Sequence, residues 1–333
     1  MIIIILIPLF IIALIIKYLK RRKKVSIEGK HVVVTGGSSG IGKSVAILAA
    51  KKGAHVTIIA RNIDKLSEAQ EELKKYRVSE DQIINKVSVD VANYEDVENN
   101  LCEIEETVGP IFMLINCAGM AICGRVEDFT EQDIKTLIEV NFLGTLYPIK
   151  AIVPKFKQRR EGIIVLTGSQ VSLVGMYGYS VYSSSKFALR GLAESLIMEV
   201  KPYNISVTLA LPPDTNTPGF ENENKTKPKE THLLSNTAGL YNPEDVAKKL
   251  LDDSLMGHFF SFIGLESFIL TTLCVGMSPF GSFVEVLVQC VALGPLRLIG
   301  AFYIMYFDKI IKKCFLEPVK KRTVIINSIV LFS

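Results

Sequence analysis

The feature that most limits what this chain can fold into is the octet Thr35-Gly36-Gly37-Ser38-Ser39-Gly40-Ile41-Gly42. It follows an apolar, β-branched run, His31–Thr35, that reads as a strand, and it opens a helical run, Lys43–Lys52. Glycines at 36, 40 and 42 let the backbone turn tightly and approach another group closely. The helix start supplies unpaired N–H groups and the positive end of the helix dipole, which together hold a pyrophosphate. A loop of this kind at a strand–helix junction points to a parallel α/β sheet, with Gly36, Ser38, Ser39, Gly40, Ile41 and Gly42 against a nucleotide.

The rest of the chain repeats the alternation. Ala54–Ala60, Ile83–Asp90, Ile111–Asn116, Gly162–Thr167, Asn204–Ala210 and His258–Ile263 read as further strands. Helical patterns lie between them, over Thr130–Val153, from Tyr182 to about Val200, and over Pro243–Ser254. The expected fold is α/β, a Rossmann-type doubly wound parallel sheet of about seven strands. In such sheets the end of the second strand meets the adenosine ribose. Here it reads Ala60-Arg61-Asn62, and Arg61 can pair with a 2′-phosphate, which favours NADP over NAD. Asp90, before Val91, can accept from an adenine amino group or cap the helix starting near Asn93. The small residues in Asn116-Cys117-Ala118-Gly119 let the backbone lie against the cofactor, and Cys117 reads as a small core residue. After the sixth strand, Pro212–Gly219 is a loop, and Phe220 to about Leu240 is polar and aperiodic, as a mobile lid would be.

Chemistry is concentrated between Ser169 and Lys186, SQVSLVGMYGYSVYSSSK. Tyr182 and Lys186 are one helical turn apart, so they share a face. A cation there is expected to lower the phenol pKa and make Tyr182 a proton carrier for a carbonyl or alcohol oxygen. Ser169 can hold the same oxygen. Asn141 falls inside the Thr130–Val153 helix, where a buried amide needs partners.

The net charge is only +4, and the basic residues cluster near the ends, so no nucleic-acid surface is indicated. The six cysteines show no CxxC spacing and the four histidines are scattered, so no metal site is expected. Residues 1–19, MIIIILIPLFIIALIIKYL, are long enough to span a bilayer. Lys17 to Lys24 follow as a basic run, which places the bulk of the protein in the cytosol. No small-residue cleavage pattern follows, which favours an uncleaved anchor. Beyond Gly264, Phe268–Leu298 and Ile299–Phe307 are strongly apolar, with breaks expected at Gly276, Pro279, Gly281, Gly294 and Pro295. One or two segments lying in or along a membrane, or two full spans, are expected, with a substrate-covering subdomain or an oligomer interface as the alternative. The organisation is thus an anchor with basic flank over 1–24, a catalytic domain over 25–264 and a membrane-associated region over 265–333. The apolar tail 323–333 has no assigned role, and the sequence leaves a homo-oligomer open.

Taken in order, Thr35-Gly36-x-x-x-Gly40-x-Gly42, Asn116-x-Ala118-Gly119, Asn141, Ser169 and Tyr182-x-x-x-Lys186 resemble the short-chain dehydrogenase/reductases over residues 29–264. That resemblance implies an NADPH/NADP+-dependent oxidoreductase. Tyr182 would be the proton donor, Ser169 would orient the oxygen, and Lys186 would tune Tyr182 and hold the nicotinamide ribose. Asn141 would hold a relay water. The cofactor would lie against the glycine loop, Arg61, Asp90, Val91, Asn116, Ala118, Gly119, Tyr182, Lys186 and Pro212. The stretches Met198–Tyr203 and Pro212–Phe220 are similar to the branch that reduces a long-chain lipid ketone, 3-ketosphinganine, at the endoplasmic reticulum membrane in sphingolipid synthesis. A microsomal steroid or retinoid dehydrogenase, and a catalytically silent membrane scaffold, are the competing expectations.

Overall fold

The computed structural model describes residues 24–235 and 239–316. The expected anchor, except Lys24, and the tail from 317 lie outside the described residues. Seven parallel strands form one sheet in the order β3-β2-β1-β4-β5-β6-β7. They are β1 His31–Thr35, β2 His55–Ala60, β3 Ile84–Ser88, β4 Ile111–Asn116, β5 Gly162–Thr167, β6 Ile205–Ala210 and β7 Phe260–Ser261. The Rossmann-type expectation holds.

Every residue of β1 is buried because both faces of the sheet are covered. Side chains alternate along a strand, so Val32 and Val34 enter one core and Val33 the other. The first core is closed by α1 Gly40–Lys51, α2 Ile63–Lys74 and α9 Pro243–Leu255. The second is closed by α3 Tyr94–Val108, α5 Gly144–Arg159 and α6 Ser180–Val200. In α1 the contact positions are Val45, Ala46, Ala49 and Ala50, small enough to bring the helix close to the sheet. β1 runs between β2 and β4, so the chain reverses direction across the sheet at the β1/β4 junction. The loops there diverge and leave a crevice at the strand ends.

Several expectations change. The seventh strand shrinks from His258–Ile263 to two residues, since it pairs only with the end of β6. The helix expected over Thr130–Val153 starts as α4, Glu131–Ile138, capped by a reciprocal Thr130–Asp133 box. It passes through a π turn, Glu139–Leu143, that contains Asn141, and continues as α5 to Arg159. The stretch expected to be an aperiodic lid contains two short helices, α7 Pro218–Asn224 and α8 Lys229–Ser235. Their origin is local: Pro218 pre-sets the first helical φ, and Thr217 Oγ1 accepts from Phe220 N at 3.2 Å.

Beyond β7 come α10, Leu265–Leu273, and α11, Phe283–Leu316. The break expected at Gly294-Pro295 does not occur. Pro295 removes one main-chain hydrogen bond without ending the 34-residue helix. Arg190 on α6 fixes the connection between these helices, donating to Cys274 O at 2.7 Å, Val275 O at 3.2 Å and Ser278 Oγ at 2.9 Å. Most of α11 is apolar and exposed, including Val291, Leu298, Phe302 and Met305.

Candidate active site

The crevice at the strand ends opens into a cavity of about 580 Å³. One side is the glycine loop. Gly36 has φ +67°, and a Cβ on it would stand 2.7 Å from Ala118 N; a Cβ on Gly42 would stand 2.4 Å from Gly36 O. No side chain fits at either place, so the β1–α1 turn packs directly on the β4 loop. Ser39 precedes α1 without a side-chain cap, which leaves the first N–H groups of that helix for an anion. These features fit a dinucleotide pyrophosphate.

The floor is built by β5 and α6. β5 ends at Thr167 and delivers Ser169, which starts a short turn and accepts from Val171 N at 3.4 Å. Tyr182 and Lys186, one turn apart on α6, face the same cavity. The Ser169 hydroxyl favours the ionised form of the Tyr182 phenol. Lys186 Nζ donates to Thr167 O at 2.9 Å and lies 5.8 Å from the centre of the Tyr182 ring. Burial pulls the Lys186 ammonium down to about 8. Cys117 is half-buried, and desolvation pushes its thiol up to about 11, so it stays a thiol.

Tyr182 departs from expectation. Its pKa is raised rather than lowered, first by burial and then by the carboxylate of Glu223; the Ser169 hydroxyl opposes both. Lys186 Nζ lies against Thr167 O and 5.8 Å from the ring centre, and the motif alone gave no sign of the burial or of the nearby carboxylate. A phenol held protonated is the acid form that reduction of a carbonyl requires.

Asn141 does not line the cavity. Fully buried in the π turn, it accepts from Met120 N at 2.8 Å and donates to Met120 O at 2.9 Å and Ser185 Oγ at 3.0 Å. Its side chain is committed to protein groups. It ties the Gly119-Met120 strand end to α6 just where a Cβ on Gly119 would lie 3.2 Å from Asn141 Oδ1 and 3.3 Å from Lys186 Nζ.

Ser38, Ser39, Gly40, Ile41, Ala118, Gly119 and Pro212 line the cavity as expected. Four other residues do not. Asn116 is buried and donates to Val165 O at 3.1 Å, which holds β4 to β5. Val91 packs against Gly144. Asp90 Oδ1 accepts from Ala92 N at 3.0 Å, and its other oxygen is 3.7 Å from Arg61 Nη1 at the exposed end of β2. The helix α3 is capped by Asn93 rather than Asp90.

The remaining wall escaped the sequence reading. The lid contributes Asp214, Phe220, Glu223 and Ser235, and α10 and α11 contribute Ile269, Leu273, Ile304 and Phe307. Gln170 donates to Ser267 Oγ at 2.8 Å and pins α10 beside Ser169. The apolar run of α11 was visible in the sequence, with a substrate-covering subdomain as its alternative reading; the residues that reach the cavity of Ser169, Tyr182 and Lys186 were not. Among the described residues no group of three or more His, Cys, Asp or Glu is placed to hold a metal.

Comparison with known proteins agrees with this architecture. The family described as short chain dehydrogenase matches residues 30–228. The chain is 48% identical over 303 residues to a 3-ketodihydrosphingosine reductase of Bos taurus, covering 91% of each chain. It is 47% identical to a 3-dehydrosphinganine reductase of Danio rerio over 89% of each chain. It is 38% identical to the 3-dehydrosphinganine reductase TSC10A of Arabidopsis thaliana, covering 87% of this chain and 88% of that one. Among solved structures, levodione reductase superposes with a TM-score of 0.66 at 21% identity, over 72% of this chain and 98% of the other. That last likeness is one of fold. By motif order, site geometry and sequence, the chain belongs to the short-chain dehydrogenase family.

Proposed function

We propose that this chain reduces 3-ketosphinganine to sphinganine with NADPH, in sphingolipid biosynthesis. The observation that carries the reading is a single cavity joining two kinds of wall. Ser169, Tyr182 and Lys186 stand at one side, and the apolar side chains of α10 and α11 at the other. A ketone on a long alkyl chain matches both. The relatives that are nearly half identical over nine-tenths of the chain carry the names of reductases of this ketone.

In this reading the nicotinamide cofactor, when bound, supplies the hydride that the carbonyl carbon receives. Tyr182 gives its phenolic proton to the carbonyl oxygen, and the Ser169 hydroxyl orients that oxygen. Lys186 supplies the positive charge that stabilises the phenolate left on Tyr182. Asn141 acts as a positioning residue, through Met120 and Ser185. The glycine loop with Ser38, Ser39 and Ile41 holds the pyrophosphate, Ala118 and Gly119 give the cofactor a flat bed, and Arg61 pairs with the 2′-phosphate. The proton and the hydride together convert C=O to CH–OH.

In this reading the protein lies at the endoplasmic reticulum membrane, with the catalytic domain (25–264) on the cytosolic side of the 1–24 anchor, and the apolar character of both ends of the chain supports it. An exposed apolar helix about 50 Å long gains by leaving water, and α11 within the 265–333 region would lie against lipid. The bilayer then delivers the substrate to the wall that α11 shares with the cavity.

Purified full-length protein with NADPH and 3-ketosphinganine is expected to yield sphinganine by mass spectrometry. Turnover of retinal or a ketosteroid in its place, with none of 3-ketosphinganine, would overturn the substrate.

A further inference from the structure

The lid carries a charged cluster that the reduction chemistry does not use. Glu223 on α7 and Asp214 ahead of it both line the cavity. The ammonium of Lys227 lies between them, its side chain 1% exposed. Lys227 Nζ is 2.9 Å from Glu223 Oε1 and 3.9 Å from Asp214 Oδ2, and it donates to Ser235 Oγ at 3.3 Å. It also stands over two aromatic rings, 4.4 Å from the centre of Phe220 and 5.9 Å from that of Tyr179. The Tyr179 hydroxyl donates to Glu223 Oε1 at 2.5 Å, and the Ser235 hydroxyl donates to Asp214. Carboxylates, hydroxyls and ring faces converging on one point are what an alkylammonium ion needs to leave water.

Two features show that this cage is built for more than Lys227. Among the ion pairs of the described residues, Glu223 and Asp214 share the one ammonium of Lys227. Moreover, Glu223, Asp214, Phe220, Tyr179 and Ser235 all reach the cavity surface while Lys227 does not. The lysine holds the carboxylates from behind, and their other sides face the space where substrate must lie. Tyr179 fixes how far that is from the chemistry: its hydroxyl is on Glu223, and its ring centre is 5.6 Å from that of Tyr182.

The substrate proposed above carries an amine on the carbon next to its carbonyl, and the inference rests on that reading. We infer that Glu223, with Asp214, binds the protonated amine of the ketone substrate. With the carbonyl oxygen at Ser169 and Tyr182, the amine reaches towards the lid. The alkyl tail is left to run along Ile269, Leu273, Ile304 and Phe307. The lid carboxylates thereby select an amino ketone over a plain one and fix its orientation before the proton moves.

The test uses the full-length protein with NADPH and two ketones, 3-ketosphinganine and the same molecule with hydrogen in place of the 2-amino group. The parent is expected to favour the amino ketone by about 10- to 100-fold in kcat/KM, chiefly through KM, the range of a charge-assisted hydrogen bond. In Glu223→Gln and in Asp214→Asn that ratio is expected to fall towards one. A ratio does not depend on how much enzyme is folded, so partial misfolding of a variant cannot imitate the result. Equal use of both ketones by the parent, or an unchanged ratio in both variants, would overturn the ammonium site alone. Turnover of neither ketone by the parent would overturn the reductase reading and this inference with it.

Discussion

Lys186 on the floor of the cavity and Lys227 in its lid are both buried, but their surroundings are opposite. Lys186 has a single neutral acceptor, Thr167 O, and burial draws its pKa down to about 8. Lys227 sits against Glu223 and Asp214. The floor therefore stores an ammonium whose charge is not yet matched, available to a phenolate or to a bound ligand. The lid matches its cation in advance, one ammonium shared by two carboxylates. Tyr182 lies between the two and registers the lid, since Glu223 and Asp214 add to the burial that keeps it protonated. One wall is prepared to receive negative charge and the other positive charge, which is what a polarised amino ketone presents.

The contrast can be broken most directly at the residue between the walls. Tyr182→Phe keeps the ring and removes the proton, and kcat is expected to fall by about 10²- to 10⁴-fold. Binding of NADPH, followed by its fluorescence, should persist. A kcat within a few-fold of the parent would move the proton donor elsewhere. The lysines give the next largest effects, of opposite sign. Lys227→Met leaves two partly buried carboxylates without their cation and is expected to destabilise the fold by about 3 kcal/mol. Lys186→Met removes a charge that folding disfavours. The folded pKa of Lys186 is below the value near 10.4 of an unfolded chain, so the unfolded chain binds more protons between pH 8 and 10.4. Stability contributed at this site therefore rises with pH through that window. At pH 7 the variant is expected to be more stable by about 2 kcal/mol, after loss of the Thr167 hydrogen bond. Denaturation of the cofactor-free protein at pH 7 and at pH 10 measures both. Shifts of the same sign would erase the distinction between the walls.

Legibility in the sequence divides along the same line. The floor is written in local rules. Gly36 at φ +67° and the close approach of Gly42 need residues without side chains, and the spacing of Tyr182 and Lys186 is one helical turn. The strands of the sheet centre are likewise plain, because both faces are buried and their middle positions are all apolar. The lid has no such grammar. Asp214, Glu223, Lys227 and Ser235 meet only through the path of two short helices whose caps hide in a polar, aperiodic stretch. The direction of the Tyr182 shift was misread for that reason: the cation was visible four residues away, but burial and the lid carboxylate were not. The continuity of α11 was missed because Gly294-Pro295 reads as a stop in water, whereas a single lost hydrogen bond does not end a helix of that length.

Arg61 carries the smallest expected effect and brings the two logics together. Like Tyr182 and Lys186 it was legible from its place at a strand end. Like Lys227 it already has a carboxylate beside it, with Asp90 Oδ2 3.7 Å from its guanidinium. Both side chains are well exposed, so that pair is held weakly and a phosphate can take the arginine over. On the proposed preference for NADPH, Arg61→Ala removes the partner of the 2′-phosphate and leaves Asp90 facing it. The expected loss in kcat/KM for NADPH is about tenfold, with NADH affected far less. Asp90→Asn is expected to move NADPH the other way by a smaller factor, since it frees the guanidinium and removes a like charge. Equal losses for the two cofactors in Arg61→Ala would show that Arg61 shapes the loop rather than reading the phosphate, and would assign it to the structural side of the comparison.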